Sequence, residues 1–124
     1  MVNQVLIYMG SAFVLLWGIA HLFPTRSVVS GFGDISVDNR RIIAMEWIIE
    51  GVALIFIGSV NAIVTAIDQT GSISLAVYLS SGVILIVLAV VSFFTGFKIR
   101  FLPFRLCPVI FTTSAVLIIL GGLL

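Results

Sequence analysis

Four long apolar runs, each closed by a polar or proline-marked break, constrain this chain more than any other feature. They cover residues 4–23, 42–67, 74–97 and 106–124. The first stops at Pro24, which a helix interior would not accept, the second at Asp68-Gln69-Thr70-Gly71, and the third at the basic stretch 98–105. Pro108 falls in the first turn of the fourth run, where its missing N–H is harmless. About 20 apolar residues cross a bilayer as a helix, and only closed structures pair every backbone group within lipid. The expected fold is all-α: a polytopic membrane protein forming an antiparallel bundle of four transmembrane helices, with residues 1–124 in one domain. Composition points the same way, at 61% hydrophobic and 9% charged, where a soluble domain carries roughly 25% charge. With a net charge of only +1, a water-soluble globule, a disordered region and an electrostatic nucleic-acid binder are all excluded.

All the basic side chains lie in two breaks: Arg26, Arg40 and Arg41 in the first, Lys98, Arg100 and Arg105 in the third. Four crossings place those breaks on one face. Such a one-sided distribution predicts that loops 24–41 and 98–105 are cytoplasmic and that both termini lie outside a cell inner membrane. No Lys or Arg precedes the first run, so it reads as a retained span and not a signal peptide. The loop 24–41 is half apolar. Its Val28, Val29, Phe32 and Ile35 are expected to sit among headgroups or to fold over the bundle as a lid, turning at Gly31-Phe32-Gly33. Asp38 or Asn39 is the expected N-cap of the second helix.

A single cysteine, Cys107, excludes an intramolecular disulfide, a Cys-x-x-Cys pair and a multi-cysteine metal site. A single histidine, His21, excludes a two-histidine zinc helix and a four-histidine haem bundle within one chain.

Charged groups within spans are costly, roughly 2.5–3.5 kcal/mol each at the bilayer centre on insertion scales. The second run carries Glu46 and Glu50. Counted from Arg41 at about 1.5 Å per residue, they lie about 7 Å and 13 Å deep, the latter near the midplane of a roughly 30 Å core. At about 100° per residue Glu46, Glu50, Asn61 and Asp68 share a sector of about 60°, so this stripe should face the bundle interior or a partner chain. Gly51 and Gly58 beside it suit close helix contact. Glu46 has an alternative, snorkelling outward to pair with Arg40 or Arg41. His21, at the same end of the first span, either sits at the interface beside Trp17 or converges with Glu46 and Glu50 beneath the loop. No ionisable group bridges the roughly 16 Å from Glu50 to Asn61, which favours a pocket open to the cytoplasm over a transmembrane relay.

These residues carry three functional readings. In the leading one, Trp17, His21, Glu46, Trp47, Glu50 and Asn61 bind a lipophilic small molecule or a cation. His21, Glu46 and Glu50 would also make a three-ligand site for a divalent metal, doubled in a symmetric dimer. As an enzyme, an isomerase or quinone-linked oxidoreductase, the protein would use Glu50, Glu46 and His21 for acid–base chemistry on a lipid-soluble substrate. As a structural subunit, it would pair its acidic stripe with Lys or Arg of a partner membrane chain; without such a partner, a homo-oligomer is expected.

The Gly18-x-x-His21-x-x-Pro24 ending of the first span, followed by three further spans, resembles the small DoxX-like four-helix membrane proteins. That resemblance implies the four-helix bundle alone. In chemistry only, the set of Trp, His, Glu and Asn side chains is similar to that of membrane sterol isomerases, where a cavity acid protonates an alkene.

Overall fold

The computed structural model describes residues 1–124 as five helices: α1 (Val2–Leu22), α2 (Thr25–Ser30), α3 (Val37–Asp68), α4 (Ser72–Gly96) and α5 (Leu102–Leu123). Four of them, all but α2, are long and apolar enough to cross a membrane. The fold is therefore an all-α four-helix membrane bundle, with one short helix in its first loop. Packing runs in the order α3, α1, α5, α4, and α3 and α4 meet much less than the other neighbours do. Their side-chain hydrogen bonds lie toward the hairpin that joins them: Asn61 Nδ2 to Ser81 Oγ at 2.8 Å, Thr65 Oγ1 with Tyr78 OH at 2.8 Å, and Ser74 Oγ to the Asp68 carbonyl. Away from that hairpin the α3–α4 seam is loosely closed.

Local chemistry explains where the helices end. Pro24 follows α1 closely, and α1's last carbonyls find partners elsewhere, as helix termini require. Thr25 Oγ1 donates to the Leu22 carbonyl at 2.6 Å, and Trp47 Nε1 donates to that of His21, also at 2.6 Å. The N-cap of α3 is Ser36, not Asp38 or Asn39: its hydroxyl accepts the Asn39 N–H at 3.1 Å. Asp38 lies instead in the first turn, where its charge complements the helix dipole. Between α2 and α3 the chain turns at Gly33, whose φ of 75° is a left-handed value suited to glycine.

The α1–α3 seam is built on glycine. A Cβ on Gly18 would meet the Gly51 carbonyl oxygen at 2.8 Å, and one on Gly58 would meet that of Ser11 at 2.6 Å. Backbones approach this closely only where side chains are absent. Those contacts also set the register. With Gly58 beside Ser11 and Trp47 at the end of α1, the C-terminal end of α3 is level with the start of α1. Residues 37–46 then project about 15 Å beyond the end of α1. Because α3 has 32 residues and α1 has 21, the overhang lies wholly at the basic end, where α2 folds against α3. Glu46 therefore lies just beyond the level of α1's last turn, and Glu50 about one turn inside it.

Candidate functional site

The site forms where α1 ends. His21 is only 7% exposed. Its ring stacks on Trp47 with centroids 3.7 Å apart and planes 16° from parallel. Its Nε2 lies 3.4 Å from Glu50 Oε2, yet no hydrogen bond satisfies that buried nitrogen. Trp47 in turn meets Phe104 edge-on at 5.5 Å. One aromatic layer thus links α1, α3 and the first turn of α5.

The inward stripe of α3 comprises Gly51, Leu54, Gly58, Asn61 and Thr65. At about 100° per residue Trp47 falls at its centre, Glu50 about 60° to one side and Glu46 about 100° away. Trp47 accordingly fills the inward place that the acidic stripe assigned to Glu46. Glu50 is half-buried at the edge, and Glu46 is exposed on the outer flank.

Glu50 separates two hollows. An inner cavity of about 280 Å³ opens between the helices, with His21, Glu50, Ser92, Phe104, Cys107 and Phe111 on its wall. An outer groove of about 410 Å³ runs along α3, with Ile42, Glu46, Trp47, Glu50 and Phe104. Behind His21 a smaller apolar hollow of about 110 Å³ is lined by Trp17, Pro24, Trp47 and Cys107. Under α2 lies a fourth, of about 430 Å³, between Val28 and Phe32 on one side and Ile99, Phe101 and Phe104 on the other. The loop therefore does fold back over the basic end of the bundle.

The structure brings His21, Trp47 and Glu50 together, with Trp17 beside them; the Trp17 indole N–H is buried without an acceptor. Asn61 lies apart. It is fully buried, donates to the Ile57 carbonyl and to Ser81, and belongs to the α3–α4 hydrogen-bond network about three turns away. Glu46 pairs with neither Arg40 nor Arg41, and Arg41 instead approaches Asp38 at 4.0 Å. No three His, Cys, Asp or Glu side chains converge as a metal site. The His21, Glu46, Glu50 ligand set is therefore not assembled within one chain, because Glu46 turns outward. Sequence reasoning missed Phe104, which lines all four hollows. It is one of ten phenylalanines, and only its place in the turn after Pro103 distinguishes it.

The arrangement offers an imidazole edge, a neighbouring carboxylate and aromatic walls at the basic end of the bundle. Such a set can hydrogen-bond a polar head while its walls cover an apolar body. No family model matches the chain, and no curated protein or solved structure is significantly similar to it.

Proposed function

We propose that this integral membrane protein binds a lipid-soluble molecule at the basic end of its bundle, with His21 and Glu50 as the polar anchor. The observation that carries this reading is the buried, unpartnered Nε2 of His21, 3.4 Å from Glu50 on the wall of the inner cavity. Buried polar atoms normally have partners, and a ligand hydroxyl or carbonyl supplies one here. The loosely closed α3–α4 seam is the entry from the bilayer. The basic loops face the cytoplasm and both termini lie opposite, as the Lys and Arg distribution favours. The likeness to DoxX-like proteins fits the site, since Gly18 makes the helix crossing, His21 supplies the ring and Pro24 follows the end of the helix.

Gentle purification followed by solvent extraction and mass spectrometry tests the proposal. The wild type retains an apolar molecule in near-stoichiometric amount, and Glu50→Gln and His21→Ala lose it. Equal retention by all three overturns the reading.

The His21–Glu50 contact also favours an enzymatic version, in which the pair exchanges a proton with the bound molecule. Turnover would then show a bell-shaped pH profile that loses one limb in His21→Ala. Glu46, exposed on the outer flank, favours pairing with a second chain, either another membrane subunit or another copy of this one. Cross-linking in native membranes, compared with Glu46→Gln, tests that pairing.

A further inference from the structure

We infer that the molecule held at this site presents a hydroxyl to the protein: it is a neutral alcohol on an apolar body. This deepens the reading of the His21–Glu50 cavity as a binding site and rests on it. The polar side chains on the wall of the inner cavity are His21, Glu50, Ser92, Thr95 and Cys107. Ser92, Thr95 and Cys107 have already committed their protons to carbonyls of their own helices. Ser92 Oγ donates to the Leu88 carbonyl at 2.7 Å, Thr95 Oγ1 to that of Val91 at 2.6 Å, and Cys107 Sγ to that of Pro103 at 3.4 Å. What these groups still offer a ligand is lone pairs. Glu50 adds a carboxylate, which accepts hydrogen bonds and donates none.

His21 is the exception. Its side chain is 5% exposed, and its Nε2 is buried without a hydrogen-bond partner, 3.4 Å from Glu50 Oε2. A carboxylate oxygen facing Nε2 favours a proton on that nitrogen, since two acceptors set against each other repel. The cavity therefore combines one buried N–H donor with a surplus of acceptors. A hydroxyl answers both with a single atom, accepting from Nε2 and donating to Glu50. A ketone or an ether accepts from His21 but turns its remaining lone pair toward the carboxylate. An ammonium donates to Glu50 but has no lone pair for the imidazole, and an ionised fatty acid is repelled by Glu50. The rest of the wall, Leu88, Val91, Phe104 and Phe111 with Gly96, covers an apolar body within about 280 Å³.

The full chain in zwitterionic-lipid nanodiscs provides the test, titrated with cyclododecanol, cyclododecanone and cyclododecyl methyl ether at equal mole fractions in the bilayer. Trp47 stacks on His21, so the midpoint of the intrinsic-fluorescence change reports affinity at the site. The wild type should bind the alcohol saturably and roughly tenfold more tightly than the ketone or the ether. Glu50→Gln, whose amide donates as well as accepts, should bring the ketone level with the alcohol. If the ketone binds the wild type as tightly as the alcohol and both weaken in His21→Ala, the hydroxyl inference is overturned while the cavity reading survives. If none of the three binds saturably to folded wild type, the hydroxyl inference is overturned, and the retained-molecule measurement judges the cavity separately. Should Glu50→Gln fail to fold, the wild-type ranking of alcohol, ketone and ether decides the matter alone.

Discussion

Trp47 holds His21 in two ways at once: its ring lies 3.7 Å from the imidazole, and its N–H donates a 2.6 Å hydrogen bond to the His21 carbonyl. The end of α1 is thereby pinned to α3, and the imidazole is presented edge-on to Glu50. Trp47→Phe keeps a ring for stacking but strands the carbonyl, which should cost about 1–3 kcal/mol of stability. Thermal unfolding in detergent should show that loss, and Trp47→Ala should lose more. A Phe variant that melts with the wild type would show that the indole N–H contributes nothing.

The glycines of two seams should differ in sensitivity. A methyl on Gly58 meets backbone, the Ser11 carbonyl oxygen at 2.6 Å, whereas one on Gly82 meets the movable end of Ile119. Gly58→Ala must push α1 and α3 apart and should cost about 1–3 kcal/mol, as overpacking does. Gly82→Ala should cost clearly less. Comparing the melting temperatures of the two variants checks this, and equal losses would contradict the rigid α1–α3 crossing.

The network of Asn61, Thr65, Tyr78 and Ser81 should serve stability and leave ligand retention alone. Interhelical hydrogen bonds in membranes contribute about 0.6 kcal/mol on average and at most about 1.7. Tyr78→Phe, which breaks the 2.8 Å contact with Thr65, should lower the unfolding temperature modestly. Its retained molecule should match that of the wild type. Loss of that molecule would mean that the two ends of the α3–α4 seam are coupled.

Cys107 is the one thiol, 6% exposed, on the wall shared by the inner cavity and the hollow behind His21. N-ethylmaleimide should label it slowly in folded protein and rapidly after unfolding. Loss of the retained apolar molecule should speed labelling of the folded chain. Fast labelling of the folded chain, the same with and without the retained molecule, would show that the wall is open independently of the site.

Much of the architecture was legible because a bilayer leaves a chain few options. Four apolar runs of spanning length, broken by proline and charge, become four helices since lipid offers backbone groups no other partner. A meeting of His21 with Glu50 was one of two readings the sequence left open, argued from their shared end of the bundle and from the expense of an acidic group among apolar neighbours; the other kept His21 at the interface beside Trp17. The exchange of Glu46 for Trp47 was not legible. They are neighbours about 100° apart on α3, and the docking of Gly51 and Gly58 against α1 decides which of them turns inward. Nor was the overhang: hydropathy marks where apolar residues begin, at Ile42, but Ser36 starts the helix and α2 packs against it.

Residue order alone, then, determined the number of spans, the concentration of positive charge at one end and the presence of two carboxylates near it, because these depend on composition and on spacing along one helix. The rotation of α3, the loose α3–α4 seam, the grip of Trp47 on His21 and the central place of Phe104 were decided by tertiary structure. The rotation of α3 and with it the grip of Trp47 depend on how closely the α1 and α3 backbones approach, and that distance is set jointly by glycines far apart in the chain.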